Sequence, residues 1–242
     1  MALTTRPLPY LDDETSLTGM LVWDPESPQP RPGLLLIHGG AGLDDHARGQ
    51  AMRYAALGYV VLACDMFGDG VAGDRTRVVA CLTSLRDDPD RLVRRGRAGL
   101  AALAACPEVN GRRAAIGFCF GGMAVLALAR SGTELAAAVS VHGSLATSRP
   151  ATSGSVTGRI LVCHGAADPH VPMADVVALT EELESARADY QVIIYGGAVH
   201  GFTHEHAVPG AIAGAAYDAR ADTRSFAAIR NVLEYVLRPG AA

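Results

Sequence analysis

The stretch Arg113-Ala-Ala-Ile-Gly-Phe-Cys-Phe-Gly-Gly-Met123 constrains this chain more than any other. The apolar run over residues 114–118 has the length and residue types of a buried parallel strand, and it stops at Cys119. From Gly121 the pattern turns helical, with Met123, Leu126 and Ala127 leading an Ala-rich segment to Arg130. A strand that becomes a helix within one residue turns so sharply that its neighbours must lack bulk, and Gly117-x-Cys119-x-Gly121 supplies them. Such a turn lifts the Cys119 sulfur clear of the sheet, at a helix N-terminus whose unpaired amides favour a thiolate. The plainer alternative is a buried structural cysteine beside a glycine turn, and the rest of the chain decides between them.

Strand and helix patterns alternate on either side. Residues 19–23 and 33–37 read as strands, with the Pro-rich loop 25–32 between them. His38-Gly-Gly-Ala-Gly42 leaves the second strand, and Asp44 or Asp45 caps a helix to about Leu57. Residues 59–63 form a strand that ends in Cys64-Asp65-Met66-Phe67. The pattern weakens over about 66–90, where 76–85 is helical, and this segment is expected to cover a pocket. Further helices are expected over 90–105, 173–188 and 222–237, with strands at 135–141, 159–163 and 190–195. Over the 242 residues there is no linker or repeat, so one α/β domain over 1–242 is expected: a mostly parallel sheet covered by helices on both faces.

Composition removes several classes of function. The chain is 49% hydrophobic and 19% charged, with net charge −4, and every basic residue is arginine. No basic cluster coincides with an aromatic stripe, which excludes nucleic acid as a partner. Arg94-Arg95-Gly-Arg97 reads as the solvated face of a helix. No stretch approaches the roughly 20 apolar residues of a membrane span, and the first 19 residues lack the apolar core of a signal peptide. The five cysteines at 64, 81, 106, 119 and 163 fit no zinc spacing, so a reduced, cytoplasmic protein without metal or cofactor is expected. His200-x₃-His204-x-His206 has metal-binding spacing, but the adjacent Gly201 and its loop setting argue against a metal.

Functional groups of an open α/β sheet gather beyond the carboxyl ends of its strands. Four such loops carry Gly39-Gly40, Cys119, Asp168 and His200, in the chain order nucleophile, acid, histidine. In contact, thiol and imidazole can exist as thiolate and imidazolium, with Asp168 orienting His200. The amides of Gly40 and Phe120 are the expected oxyanion donors. Asp65 also ends a strand, but chain order gives the acid role to Asp168. His38, His142 and His164 each precede a glycine at a strand end and read as packed or backbone-satisfied. The expected pocket contacts are Met66, Phe67, Arg75, Arg77, His170 and Phe202.

The chain resembles the dienelactone hydrolase family of α/β-hydrolases. Gly117-Phe-Cys-Phe-Gly-Gly122 matches its cysteine elbow, Asp168-Pro-His-Val-Pro172 its acid loop and Tyr195-Gly-Gly-Ala-Val-His-Gly-Phe202 its histidine loop, with similarity from about residue 16 to 237. The resemblance implies Cys119, Asp168 and His200 as catalytic groups. Members acting on chlorocatechol-derived lactones carry a glutamate where this chain has Gly39, and a carboxylate-gripping arginine where it has His204. A carboxylate clamp here would therefore fall to His204, Arg75 or Arg77. The expected activity is hydrolysis of activated esters, enol lactones or thioesters through a cysteine acyl-enzyme, by a monomer or homodimer. The alternatives are acyl transfer, lactone cyclisation or thioester release on the same residues, or a non-catalytic scaffold for a small ligand.

Overall fold

A computed structural model describes residues 2–28, 30–205, 210 and 212–237. Its strands are β1 (Thr4–Asp12), β2 (Thr15–Trp23), β3 (Arg31–Ile37), β4 (Val60–Cys64), β5 (Val109–Phe118), β6 (Ala137–Val141), β7 (Arg159–Gly165) and β8 (Tyr190–Tyr195). They form one sheet in the order β1-β2-β4-β3-β5-β6-β7-β8. The pairs β1/β2 and β2/β4 are antiparallel, and all later pairs are parallel. The helices are α1 (Asp45–Ala55), α2 (Arg75–Asp87), α3 (Pro89–Ala104), α4 (Phe120–Arg130), α5 (Met173–Ser185) and α6 (Ala219–Leu237).

The inner strands β3, β4 and β6 are buried or nearly so along their length, as parallel strands covered on both faces must be. Alternate residues feed two cores. Leu35, Ile37 and Ala115 point to the side packed by α3, α4 and α5, whereas Leu34, Leu36 and Ile116 point to the side packed by α1 and α6. Side-chain oxygens cap the early helices: Asp44 accepts from the Ala47 amide at 3.0 Å, and Asp88 from the Arg91 amide at 3.0 Å with Pro89 following it.

Three departures from the sequence reading have physical causes. β1 was not expected, because its prolines at 7 and 9 break the apolar pattern; it is an edge strand paired only with β2, where proline is tolerated. β5 starts at Val109, inside the expected turn 107–111, because Arg31 pairs with Val109 across a register shift. Arg95 is not on a solvated face. Its side chain is 2% exposed, and its Nε donates to Asp12 at 2.5 Å while Nη1 donates to the Met66 carbonyl at 2.8 Å, which fastens α3 to the end of β1.

Candidate active site

The register of β3 against β5, with Ile37 beside Gly117, brings the loop after β3 next to the turn after β5. In that turn Cys119 has φ 53 and ψ −113, a conformation L-residues rarely adopt, immediately before α4. Glycine is required on both sides. A β-carbon on Gly117 would run into the carbonyl of Gly121, and one on Gly121 into the carbonyl of Ile37. The Cys119 N–H donates to the Val141 carbonyl at 3.0 Å, which pins the strained residue to β6.

The half-buried Cys119 sulfur lies 3.1 Å from His200 Nε2. His200 Nδ1 lies 2.8 Å from Asp168 Oδ2, and the other carboxylate oxygen accepts the amides of His170 at 2.8 Å and Val171 at 3.2 Å. These four contacts span the loops after β5, β7 and β8, so residues remote in sequence meet at one edge of the sheet. The Phe120 and Gly40 N–H groups are also directed at the sulfur. Burial opposes ionisation of Cys119, but the His200 imidazole and these two amides outweigh it, and the thiol titrates below its ordinary value. Burial likewise opposes charge on His200, yet the Asp168 and Cys119 contacts raise it to about 10. Asp168 is buried and is nevertheless held below the usual carboxylate range by His200 and the amides of His170 and Val171. The favoured state is a thiolate–imidazolium pair braced by a carboxylate.

His38 is 0% exposed and sets the position of the Gly40 amide. The Met66 N–H can only donate, so Nε2 accepts it at 3.1 Å, and Nδ1–H donates to the Gly39 carbonyl at 2.7 Å. The ring is thus neutral, in agreement with burial lowering its basicity.

A cavity of about 570 Å³ opens above the sulfur. Cys119, His200, Gly40 and Ala41 form its floor, with Val78, Val79 and Ile212 as apolar walls and Arg75 and His204 as polar ones. Val79 and Ile212 are 55% and 63% exposed and form an apolar rim. Arg75 makes no side-chain hydrogen bond or ion pair among the described residues.

Several expected contacts are elsewhere. Met66 and Phe67 are buried in the core beneath the β3 loop, with the Phe67 ring 4.6 Å from that of His38. Phe202 is 0% exposed and packs on Tyr195 and His142. Arg77 turns away to donate to the Gly70 carbonyl at 2.9 Å. His170 stands edge-on to His200 at 5.2 Å and its Nε2 bonds the Ala213 carbonyl, so it touches the imidazole and not the cavity. Gly39 is beside Cys119, since a β-carbon there would come 3.8 Å from Cys119 Cβ. His206 lies outside the described residues, and among those described no group of three His, Cys, Asp or Glu side chains could hold a metal ion. Sequence reasoning passed over His46, Val78 and Ile212. A lone histidine on a helix and apolar residues of weak periodicity carry no local signal of a cavity.

The fold and this constellation define a carboxylic ester hydrolase of the α/β-hydrolase class. The description of the Dienelactone hydrolase family matches residues 18–237, and the chain belongs to that family. The solved structure of m3DLH is 40% identical, with a TM-score of 0.92 over 98% of this chain and 100% of that one. That of P91, titled a dienelactone hydrolase-like promiscuous phosphotriesterase from metagenomic libraries, is 39% identical with a TM-score of 0.92 over 98% and 100%. A carboxymethylenebutenolidase homolog of Homo sapiens is 34% identical over 90 residues, 37% of this chain and 36% of that protein. No helix among the described residues is long and apolar enough to cross a membrane.

Proposed function

We propose that this chain hydrolyses activated esters, lactones or thioesters through a thioester formed on Cys119. The observation that carries the reading is the single sulfur that meets His200 Nε2 at 3.1 Å and the Gly40 and Phe120 amides together. The thiolate adds to the substrate carbonyl, and the oxygen that gains charge takes over those two N–H donors. The intermediate collapses with cleavage of the bond to the leaving group, which receives the proton held on His200 Nε2. A water molecule then gives its proton to the neutral imidazole and attacks the thioester, releasing the acid and restoring the thiolate. Asp168 orients His200 and stabilises its charged form throughout.

Leaving-group chemistry narrows the substrates. A thiolate whose conjugate acid titrates near ~8.5 departs far more readily than an alkoxide resembling hydroxide, at ~15.7. Alkyl ester adducts revert, whereas enol, aryl and thiol leaving groups go forward. Arg75 is the guanidinium available to a substrate carboxylate, in a cavity it walls together with Val78, Val79, Ile212 and His204. Purified enzyme should cleave p-nitrophenyl acetate and leave ethyl acetate intact, with an acetyl group trapped on Cys119 in rapid-quench mass spectrometry. Equal rates on the two esters would overturn the reading.

The P91 relationship supports a second substrate class, neutral phosphotriesters with an aryl leaving group. There the same thiolate forms the S–P bond as the P–O bond to the aryloxide breaks, and His200 protonates the aryloxide; water then gives a proton to the neutral imidazole and attacks phosphorus, the S–P bond breaks, and the phosphodiester leaves as the thiolate is restored. Paraoxon turnover that disappears in Cys119→Ala tests it. The reading further takes the chain as one domain over 1–242, cytoplasmic, without cofactor or nucleic-acid partner, and a monomer or homodimer.

A further inference from the structure

The basic face of α3 does more than fasten it to β1. Arg91 and Arg95 stand four residues apart on α3 and share one side of it, as Cys81, Ser84 and Leu85 do on α2. The two sides meet over Met66 and Phe67 and enclose a cavity of about 190 Å³. It shares no lining residue with the cavity above Cys119. It is also below the roughly 300 Å³ at which pockets begin to take organic ligands of drug size, so its occupant is small.

The charge of this cavity has one sign. Arg95 is 2% exposed, and its Nε and Nη1 are engaged by Asp12 and the Met66 carbonyl. Nη2 is buried and has no hydrogen-bond partner among the described residues. A buried charged donor left unpaired is costly, and native proteins pair such groups with protein, water or an ion. Arg91 donates from Nη1 to Ser84 Oγ at 2.9 Å and makes no ion pair among the described residues. No Asp or Glu lines the cavity. The carboxylates around α3 are engaged outside it: Asp12 is shared by Arg95 and Arg94, Asp13 pairs with Arg94 at 3.1 Å, and Asp88 caps the helix through the Arg91 amide.

We propose that Arg91 and Arg95 bind a small oxyanion of the size and charge of inorganic phosphate in this cleft, and that its presence steadies the oxyanion loop. The coupling runs through consecutive hydrogen bonds. Arg95 Nη1 donates to the Met66 carbonyl at 2.8 Å, the Met66 N–H donates to His38 Nε2 at 3.1 Å, and His38 Nδ1 donates to the Gly39 carbonyl at 2.7 Å. The next amide, that of Gly40, is directed at the Cys119 sulfur. With Nη2 engaged by an anion, the guanidinium is held against swinging into the cleft and releasing the Met66 carbonyl. The site itself stands apart from the proposed reaction; only its effect on rate rests on Cys119 as the nucleophile.

The probe is inorganic phosphate, exchanged for chloride at fixed pH and ionic strength. Arg75→Met is the background throughout, so that the guanidinium of the catalytic cavity takes no part. Equilibrium dialysis with radiolabelled phosphate should find one ion per chain, and Arg91→Gln should weaken its binding at least about tenfold, the loss of one charge-assisted hydrogen bond. Ser84→Glu, at an exposed position of α2, carries its own carboxylate into the cleft and should abolish phosphate binding. Phosphate should raise kcat on p-nitrophenyl acetate by about fivefold, the low end of couplings between sites, and leave that of Ser84→Glu unchanged at the raised level. Absence of saturable binding overturns the inference, as does an affinity that neither Arg91→Gln nor Ser84→Glu alters; Ser84→Glu alone decides if Arg91→Gln does not fold. Binding that leaves kcat unmoved overturns the coupling to Gly40. An enzyme without Cys119-dependent turnover overturns the Cys119 reading, and dialysis still decides the cleft.

Discussion

Nδ1 of His38 donates to the Gly39 carbonyl at 2.7 Å, and this one bond orients the peptide that carries the Gly40 amide toward the sulfur. His38→Phe keeps the ring volume and removes both ring hydrogen bonds. Steady-state kinetics on p-nitrophenyl acetate should show kcat falling by about 10- to 100-fold, somewhat less than deleting an oxyanion donor outright. An unchanged kcat would mean that the loop holds itself.

The pairing of Cys119 with His200 sets a pH window. The thiol is lowered and the imidazole raised to about 10, so the ion pair exists between the two titrations, which belong to the pair and not to either residue. Iodoacetamide should alkylate Cys119 with an apparent pKa well below the ordinary ~8.5. Asp168→Asn should move that value upward and reduce kcat/KM by on the order of 10³-fold. Alkylation titrating at ~8.5 in wild type would remove the activated thiolate.

Asp12 and Arg95 form an ion pair whose side chains are 1% and 2% exposed, with Arg94 adding a second bond at 2.8 Å. Asp12→Ala leaves Arg95 buried and uncompensated, so urea unfolding should show a loss of about 3–5 kcal/mol. Burial raises the Asp12 pKa but the two arginines lower it further, so it lies below its unfolded value. A carboxylate lowered on folding gives stability that is complete above the unfolded value near ~3.9 and lost as pH falls through the folded one. The gap between wild type and Asp12→Ala should accordingly narrow as pH drops below ~4.

Glycine at the turn is a steric requirement. Gly117→Ala and Gly121→Ala each push a methyl into backbone and should cost more than about 4 kcal/mol, seen as loss of soluble folded protein. Gly49→Ala is the control. Its β-carbon would meet nothing within 4 Å, and α1 should gain about 0.5–1 kcal/mol.

Arg75 faces the cavity without a partner among the described residues, so an anionic substrate should detect it. Arg75→Met should raise KM for p-nitrophenyl hemisuccinate about tenfold more than for p-nitrophenyl acetate, consistent with one charge-assisted hydrogen bond. Equal changes for the two esters would place carboxylate recognition elsewhere.

Much of the architecture was legible in local pattern. The apolar runs of β3, β4 and β7 are continuous because both faces are buried, and the glycines around Cys119 announce a turn that only small residues permit. β1 was missed because prolines at an edge mimic a loop. Arg95 was misread because the helical pattern gives its neighbours and not the Asp12 carboxylate arriving from β1. Met66, Phe67 and Phe202 were expected in the cavity because they follow strand ends; which way a side chain turns there depends on what packs above it.

The order of chemical groups along the chain, and the strand ends that carry them, were fixed by residue type and spacing, because turn sterics and hydrophobic periodicity act over a few neighbours. The parallel pairing of β3 with β5 decided that the Gly40 amide reaches the Cys119 sulfur. Packing across the sheet decided that His46, unremarkable in its own helix, lies flat against His204. Distances of that kind depend on groups brought together by burial from remote parts of the chain, and no stretch of sequence contains both partners.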